Sequence, residues 1–117
     1  MIITGEVIHG AQLGRKMGFP TANIDAREIN INNGVYFSLT EIDGVQYKAM
    51  SNVGCRPSVD GHTRLLETHI FGFSGDLYGK TISVNLVKKI RDERRFATIE
   101  ALKQQLETDA AQCLLEK

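Results

Sequence analysis

Residues 34–42 (GVYFSLTEI) and 45–51 (VQYKAMS) are two β-prone runs separated only by Asp43-Gly44. Both residues of that dipeptide tolerate positive φ, which a two-residue hairpin turn demands, so the spacing predicts a pair of antiparallel strands. Further strands are expected over 2–8, 65–73 and 81–90, with turn chemistry in Gly75, Asp76 and Gly79 between the last two. The period then changes. Ile99, Leu102, Leu106, Ala110 and Cys113 recur at three- and four-residue steps, one face of a helix, with Thr98 as its N-cap and Glu100 in the first turn. Five or six strands followed by one helix predict a small antiparallel barrel or sandwich with the helix packed outside.

With 117 residues, a single domain over 1–117 is expected, and 42% hydrophobic residues suffice for a modest core. Lys plus Arg equals Asp plus Glu at 14 each. A protein built mainly to hold polyanions should carry a basic excess, so a nucleic-acid partner is not expected. Cys55 and Cys113 have no CxxC spacing, which argues against a structural zinc site or a disulfide framework. The start MIITGEVIHG lacks a basic segment and a long apolar run, and no stretch approaches a membrane span. A cytoplasmic protein with reduced thiols and no membrane partner is therefore expected.

Three stretches carry chemistry. In GRKMGFPTANID (14–25), Pro20 biases Phe19 towards extended backbone. If the chain stays extended, Thr21 and Asn23 project to one side as two neutral, hard oxygens. Magnesium is commonly held by one or two protein oxygens, waters and substrate phosphates, and the phosphates then bring the negative charge. Gly10, Gly14 and Gly18 would let backbone approach an anion, and Arg15 and Lys16 could neutralise it. On spacing alone, an irregular loop with an ordinary turn asparagine fits as well or better. In LLETHIF (65–71), Glu67, His69 and Phe71 share one strand face, either an exposed face or a pocket. KKIRDERRF (88–96) sets five cations beside Phe96, either a solvated basic loop or a site for a planar or anionic ligand.

In this order the three stretches resemble the riboflavin kinase family. The resemblance covers essentially the whole chain: GEVIHGAQLGRKMGFPTANI with the family's PTAN signature at Pro20–Asn23, then NNGVYF, SNVGCRPS, LETHIF, GDLYGK and IRDERRFATIEALKQQLETDAAQ. It implies a six-stranded antiparallel Greek-key β-barrel with a C-terminal helix. It also implies transfer of the ATP γ-phosphate to the ribityl 5′-hydroxyl of riboflavin, giving FMN and ADP, with Mg²⁺ as cofactor. By resemblance, Thr21 and Asn23 bind the metal and nucleotide phosphates, Gly10 and Arg15 contact nucleotide, and Glu67 is the catalytic carboxylate. Ile70, Gly72 and Tyr78 then lie near the adenine, and Arg91, Arg94 and Phe96 in the flavin site.

Members of this family also occur as the kinase half of a bifunctional FAD synthetase, so an adenylyltransferase domain is a conceivable partner, and this chain is expected to make FMN but no FAD. Mechanistically, the resemblance implies Glu67 taking the hydroxyl proton while loops around 10–20 and 88–96 close over the substrates. The alternative is a non-catalytic flavin- or RNA-binding regulatory module on the same barrel. Intact Thr21, Asn23 and Glu67 argue against it.

Overall fold

The structure, a computed structural model, describes residues 1–9, 17–58 and 61–117. Six strands and one helix follow in the order β1 (Ile2–Glu6), β2 (Ala22–Asp25), β3 (Gly34–Ile42), β4 (Val45–Ser58), β5 (Gly61–Ile70), β6 (Thr81–Arg91) and α1 (Ile99–Leu115). They form one antiparallel sheet in the order β1-β6-β3-β4-β5-β2. The two edges nearly meet. After β1 the chain leaves β6, and Ile8 bridges to Asn23, its N–H donating to the Asn23 carbonyl at 2.8 Å. The all-β frame with one helix is therefore as expected, and it is a nearly closed barrel rather than a sandwich.

The hairpin at Asp43-Gly44 is present, with φ of 51° and 81° at its two turn residues. Other boundaries moved. Strand β4 runs to Ser58 instead of ending at Ser51, through Gly54 and Pro57. Its pairing with β3 ends at Val53, so Pro57 lies where β5 is the one neighbouring strand and a missing donor is tolerated. Strand β5 spans 61–70 rather than 65–73. Strand β6 carries two register shifts against β3, flanking Tyr36 and Phe37. Each bulge inserts one unpaired residue and turns the following side chains to the other face, and two in succession restore the alternation before Arg91.

Side chains inside the barrel form the main core. Ile24, Leu66 and Val53 are successive cross-strand partners within it. A buried hydroxyl chain, Ser38 to Ser51 (2.7 Å) to Thr68 (2.8 Å), satisfies the polar groups that the interior encloses. A second core lies outside the barrel, where Val35, Phe37 and Met50 meet Ala110 and Cys113 of α1. Thr98 caps the helix by accepting from the Ala101 N–H at 3.1 Å. Of the predicted apolar face, Ala110 and Cys113 are buried, Leu102 and Leu106 half-buried, and Ile99 is 59% exposed. The helix thus touches the barrel with its C-terminal half and stands off it with its first turns. No helix among the described residues is long and apolar enough to cross a membrane.

Candidate active site

Residues directly opposite in neighbouring strands project to the same face. On the outer face one such row crosses five strands: Asn23 pairs with Glu67, Glu67 with Asn52, Asn52 with Val35, and Val35 with Arg91. Register alone therefore aligns the asparagine of the PTAN stretch, the glutamate of LETHIF and the first arginine of the basic stretch. These residues are distant in sequence and adjacent in space.

Two cavities lie along the row. The larger, about 900 Å³, is the gap between the outer face and the raised first turns of α1. Its walls include Asn52, Glu67, Arg91, Arg94, Phe96 and Leu106. The smaller, about 450 Å³, lies at the barrel's closing edge and includes Asn23, Ile70 and Tyr78. Thr21 and His69 border both, so the cavities adjoin there.

Thr21 and Asn23 share one side, as the extended backbone predicts. The Thr21 hydroxyl donates to Asn23 Oδ1 at 3.0 Å, and Asn23 is 5% exposed. Pro20 is tied to β5: its carbonyl lies 2.8 Å from His69 Nδ1. His69 itself sits edge-on to Phe19 and Phe71. Two converging neutral oxygens suit magnesium. Adjacent corners of an octahedron with bonds of about 2.0–2.1 Å stand about 2.9 Å apart, close to the separation observed here. Among the described residues no group of three or more His, Cys, Asp or Glu could hold a metal.

Glu67 lies in a pocket, not on an exposed face: its side chain is 16% exposed. Arg56 Nε contacts Glu67 Oε1 at 2.7 Å, and Arg56 Nη1 donates to Glu93 Oε1 at 3.0 Å. Glu93 reaches this position by lying against the backbone of Gly54, where an added Cβ would fall 2.1 Å from Glu93 Oε1. Burial pushes the Glu67 carboxyl above its ordinary value, Arg56 pulls it back, and the Glu93 charge adds a smaller upward push. The pairing with Arg56 runs through Oε1.

At the far end of the larger cavity, Arg91, Arg94 and Phe96 are brought together. The Arg94 guanidinium lies 5.0 Å from the Phe96 ring centre and that of Arg91 5.8 Å. Arg91 is committed elsewhere as well. Its Nε donates to both oxygens of Asp109 at 3.0 Å and its Nη2 to Oδ2 at 2.8 Å, with Asp109 only 1% exposed. This arginine anchors α1 as it lines the cavity. Tyr78 stacks on His9, ring centres 3.8 Å apart, and its N–H donates to Asp76. Ile70 borders the smaller cavity, whereas Gly72, in the turn beyond β5 with φ 76°, is in the wall of neither. Gly10 and Arg15 lie outside the described residues. Sequence reasoning missed Asn52, Arg56 and Glu93. The one available signal was Gly54, since a glycine inside a strand often marks a close approach.

With that geometry in view, the chain belongs to the riboflavin kinase (flavokinase) family, whose profile matches residues 1–115. It is 42% identical over 109 residues to the RNA-binding riboflavin kinase RibR of Bacillus subtilis, covering 92% of this chain and 47% of that protein. It is 44% identical over 111 residues to the bifunctional riboflavin kinase/FMN adenylyltransferase of Escherichia coli K12, covering 92% and 35%. The chain thus spans less than half the length of these relatives. The riboflavin kinase of Trypanosoma brucei superposes with a TM-score of 0.66 at 23% identity, over 96% of this chain and 76% of that one, a likeness of fold. A Streptococcus pneumoniae crystal structure described as a macrolide-efflux protein superposes with a TM-score of 0.87 at 35% identity, over 99% and 39%.

Proposed function

We propose that the chain transfers the γ-phosphate of ATP to the ribityl 5′-hydroxyl of riboflavin, giving FMN and ADP. The observation that carries this reading is the linear order along the outer row. Neutral oxygens for a metal-bound phosphate come first (Thr21, Asn23), then a half-buried carboxylate (Glu67), then an apolar and aromatic cavity ending at Phe96. Phosphate, acceptor hydroxyl and flavin ring would occur in the same order in a complex poised for in-line transfer. The smaller cavity, with Ile70 and the His9–Tyr78 stack, suits the adenine end of the nucleotide.

On this reading Thr21 and Asn23 hold Mg²⁺, which when bound supplies charge neutralisation at the transferred phosphoryl group. Glu67 orients the 5′-hydroxyl and takes its proton as the bond to phosphorus forms. A carboxyl raised above its ordinary value is a better base near neutral pH, and Arg56 keeps it from being protonated too readily. Arg94, stacked on Phe96, covers the ring end of the cavity. His69, through the Pro20 carbonyl, holds the strand that presents Thr21.

The test is incubation of the purified chain with riboflavin, ATP and Mg²⁺, with chromatography of the products. FMN without FAD is expected, because the riboflavin kinase profile accounts for residues 1–115 of the chain. Absence of FMN over a range of metal and flavin concentrations would refute the assignment. It would leave the regulatory-module alternative, which draws on the RNA-binding function that the name of the Bacillus relative gives to that protein.

A further inference from the structure

We infer that Asn52 is a binding residue for the polyol chain of the flavin, reading its internal hydroxyls between the carboxylate and the ring. The inference rests on the kinase reading of the same cavity.

Asn52 sits at the midpoint of the outer row, directly opposite Glu67 on one side and Val35 on the other. Its Cβ is then about 5 Å from that of Glu67, the ordinary separation for directly opposed residues. It lines the larger cavity. Its Oδ1 is buried and, among the described residues, is the one buried side-chain oxygen or nitrogen without a hydrogen-bond partner. The other buried polar side chains of the sheet are satisfied, as in the Ser38–Ser51–Thr68 chain. A buried carbonyl left unpaired destabilises a folded protein, so such an atom calls for a reason. Asn52 as a whole is half-buried and lines the cavity, so a half-turn of its amide would bring Oδ1 to a ligand hydroxyl there, which supplies one.

The chemistry of the row says which ligand group this is. A ribityl chain whose terminal hydroxyl meets Glu67, and whose ring lies at Phe96, must run past Asn52. The polyol offers hydroxyls that both donate and accept, and a carboxamide offers an acceptor and two donors in one plane. No other uncharged polar side chain shares that section of the row, since its next member is the apolar Val35. Aspartate here would set a second negative charge beside Glu67, and an apolar residue would leave the hydroxyls unpaired. Asparagine satisfies them and leaves the carboxylate's charge unaltered.

The test compares riboflavin with lumiflavin, which has the same ring and a methyl group in place of the ribityl chain. Asn52→Leu is nearly isosteric and removes the amide. We expect its thermal midpoint to hold or rise, because an unpaired buried polar group is gone. Riboflavin Kd, read by flavin fluorescence, should rise about ten-fold, the worth of one neutral hydrogen bond. Lumiflavin Kd should change less than about two-fold. Should Asn52→Leu fail to fold, Asn52→Thr is titrated with the same pair and judged on the same selectivity. Equal weakening of both flavins, or no change in either, overturns the inference and leaves the kinase reading standing. A wild-type chain that binds neither flavin overturns both.

Discussion

Asp109→Ala should be the most destabilising single change outside the barrel. Asp109 is 1% exposed and accepts from Arg91 Nε, Arg91 Nη2 and Gln105 Nε2, at 2.8–3.0 Å. Removing one partner of a buried pair costs about 3–5 kcal/mol, because the other charge is stranded. Here the stranded group is the Arg91 guanidinium, whose side chain is 16% exposed and can recover some hydration, so about 3 kcal/mol is the better figure. Unfolding entropy near 60 °C is about 2.1 cal/mol/K per residue, or about 0.25 kcal/mol/K for this chain. The midpoint should therefore fall by about 12 °C. A domain of this size is stable by about 6–18 kcal/mol, so the variant should still fold at 25 °C.

Arg91→Met should cost at least as much, since it strands the more deeply buried carboxylate. The double variant Arg91→Met/Asp109→Leu should recover a large part of the loss, since a well-packed apolar pair can replace a buried ion pair. Thermal melts of the four proteins close a double-mutant cycle. A fall of less than about 4 °C for Asp109→Ala, or strictly additive single effects, would refute the view that this pair pins α1 to β6. Because the first turns of α1 wall the larger cavity, Asp109→Ala should also weaken riboflavin binding.

Glu67→Gln keeps the shape and one acceptor but cannot take a proton. FMN formation should fall by about 10²–10⁴ in kcat with riboflavin affinity little changed, and near-native turnover would remove Glu67 from catalysis. Burial already raises the Glu67 carboxyl and Arg56 opposes the rise, so Arg56→Met should raise it further. The acidic limb of the kcat/KM–pH profile should then move to higher pH, and a shift to lower pH would contradict the assigned base. Burial also pushes the Cys113 thiol up to about 11, whereas Cys55 is exposed. At pH 8 roughly one Cys113 thiol in a thousand is ionised, so an aromatic disulfide reagent should titrate one thiol in the native protein and two in denaturant. Two fast thiols in the native state would show that Cys113 is accessible.

Local physics made part of this protein legible from its residues. Asp43-Gly44 specified a hairpin because positive φ at two successive positions is a local property. Thr98 and the three- and four-residue apolar steps specified where a helix begins. The alternation after Pro20 placed Thr21 and Asn23 on one side, and they are within hydrogen-bond reach. Arg91, at the end of β6, and Arg94 likewise meet Phe96 within a few residues of chain.

What depended on register could not be read that way. Whether Glu67 was an exposed strand residue or part of a pocket turned on which residues of β2 and β4 lie opposite it, and no property of LETHIF encodes that pairing. The bulges in β6 were equally silent, yet they decide that Arg91 is the β6 residue opposite Val35. Resemblance placed Arg91 in the flavin site, and only packing against α1 revealed the buried Asp109 that engages it. Arg56 and Glu93 became site residues because Gly54 lets a loop carboxylate press against a strand. Turns and caps are set by the few residues that form them. A row of side chains across five strands is set by every pairing between them, and those pairings exist only once the barrel has closed.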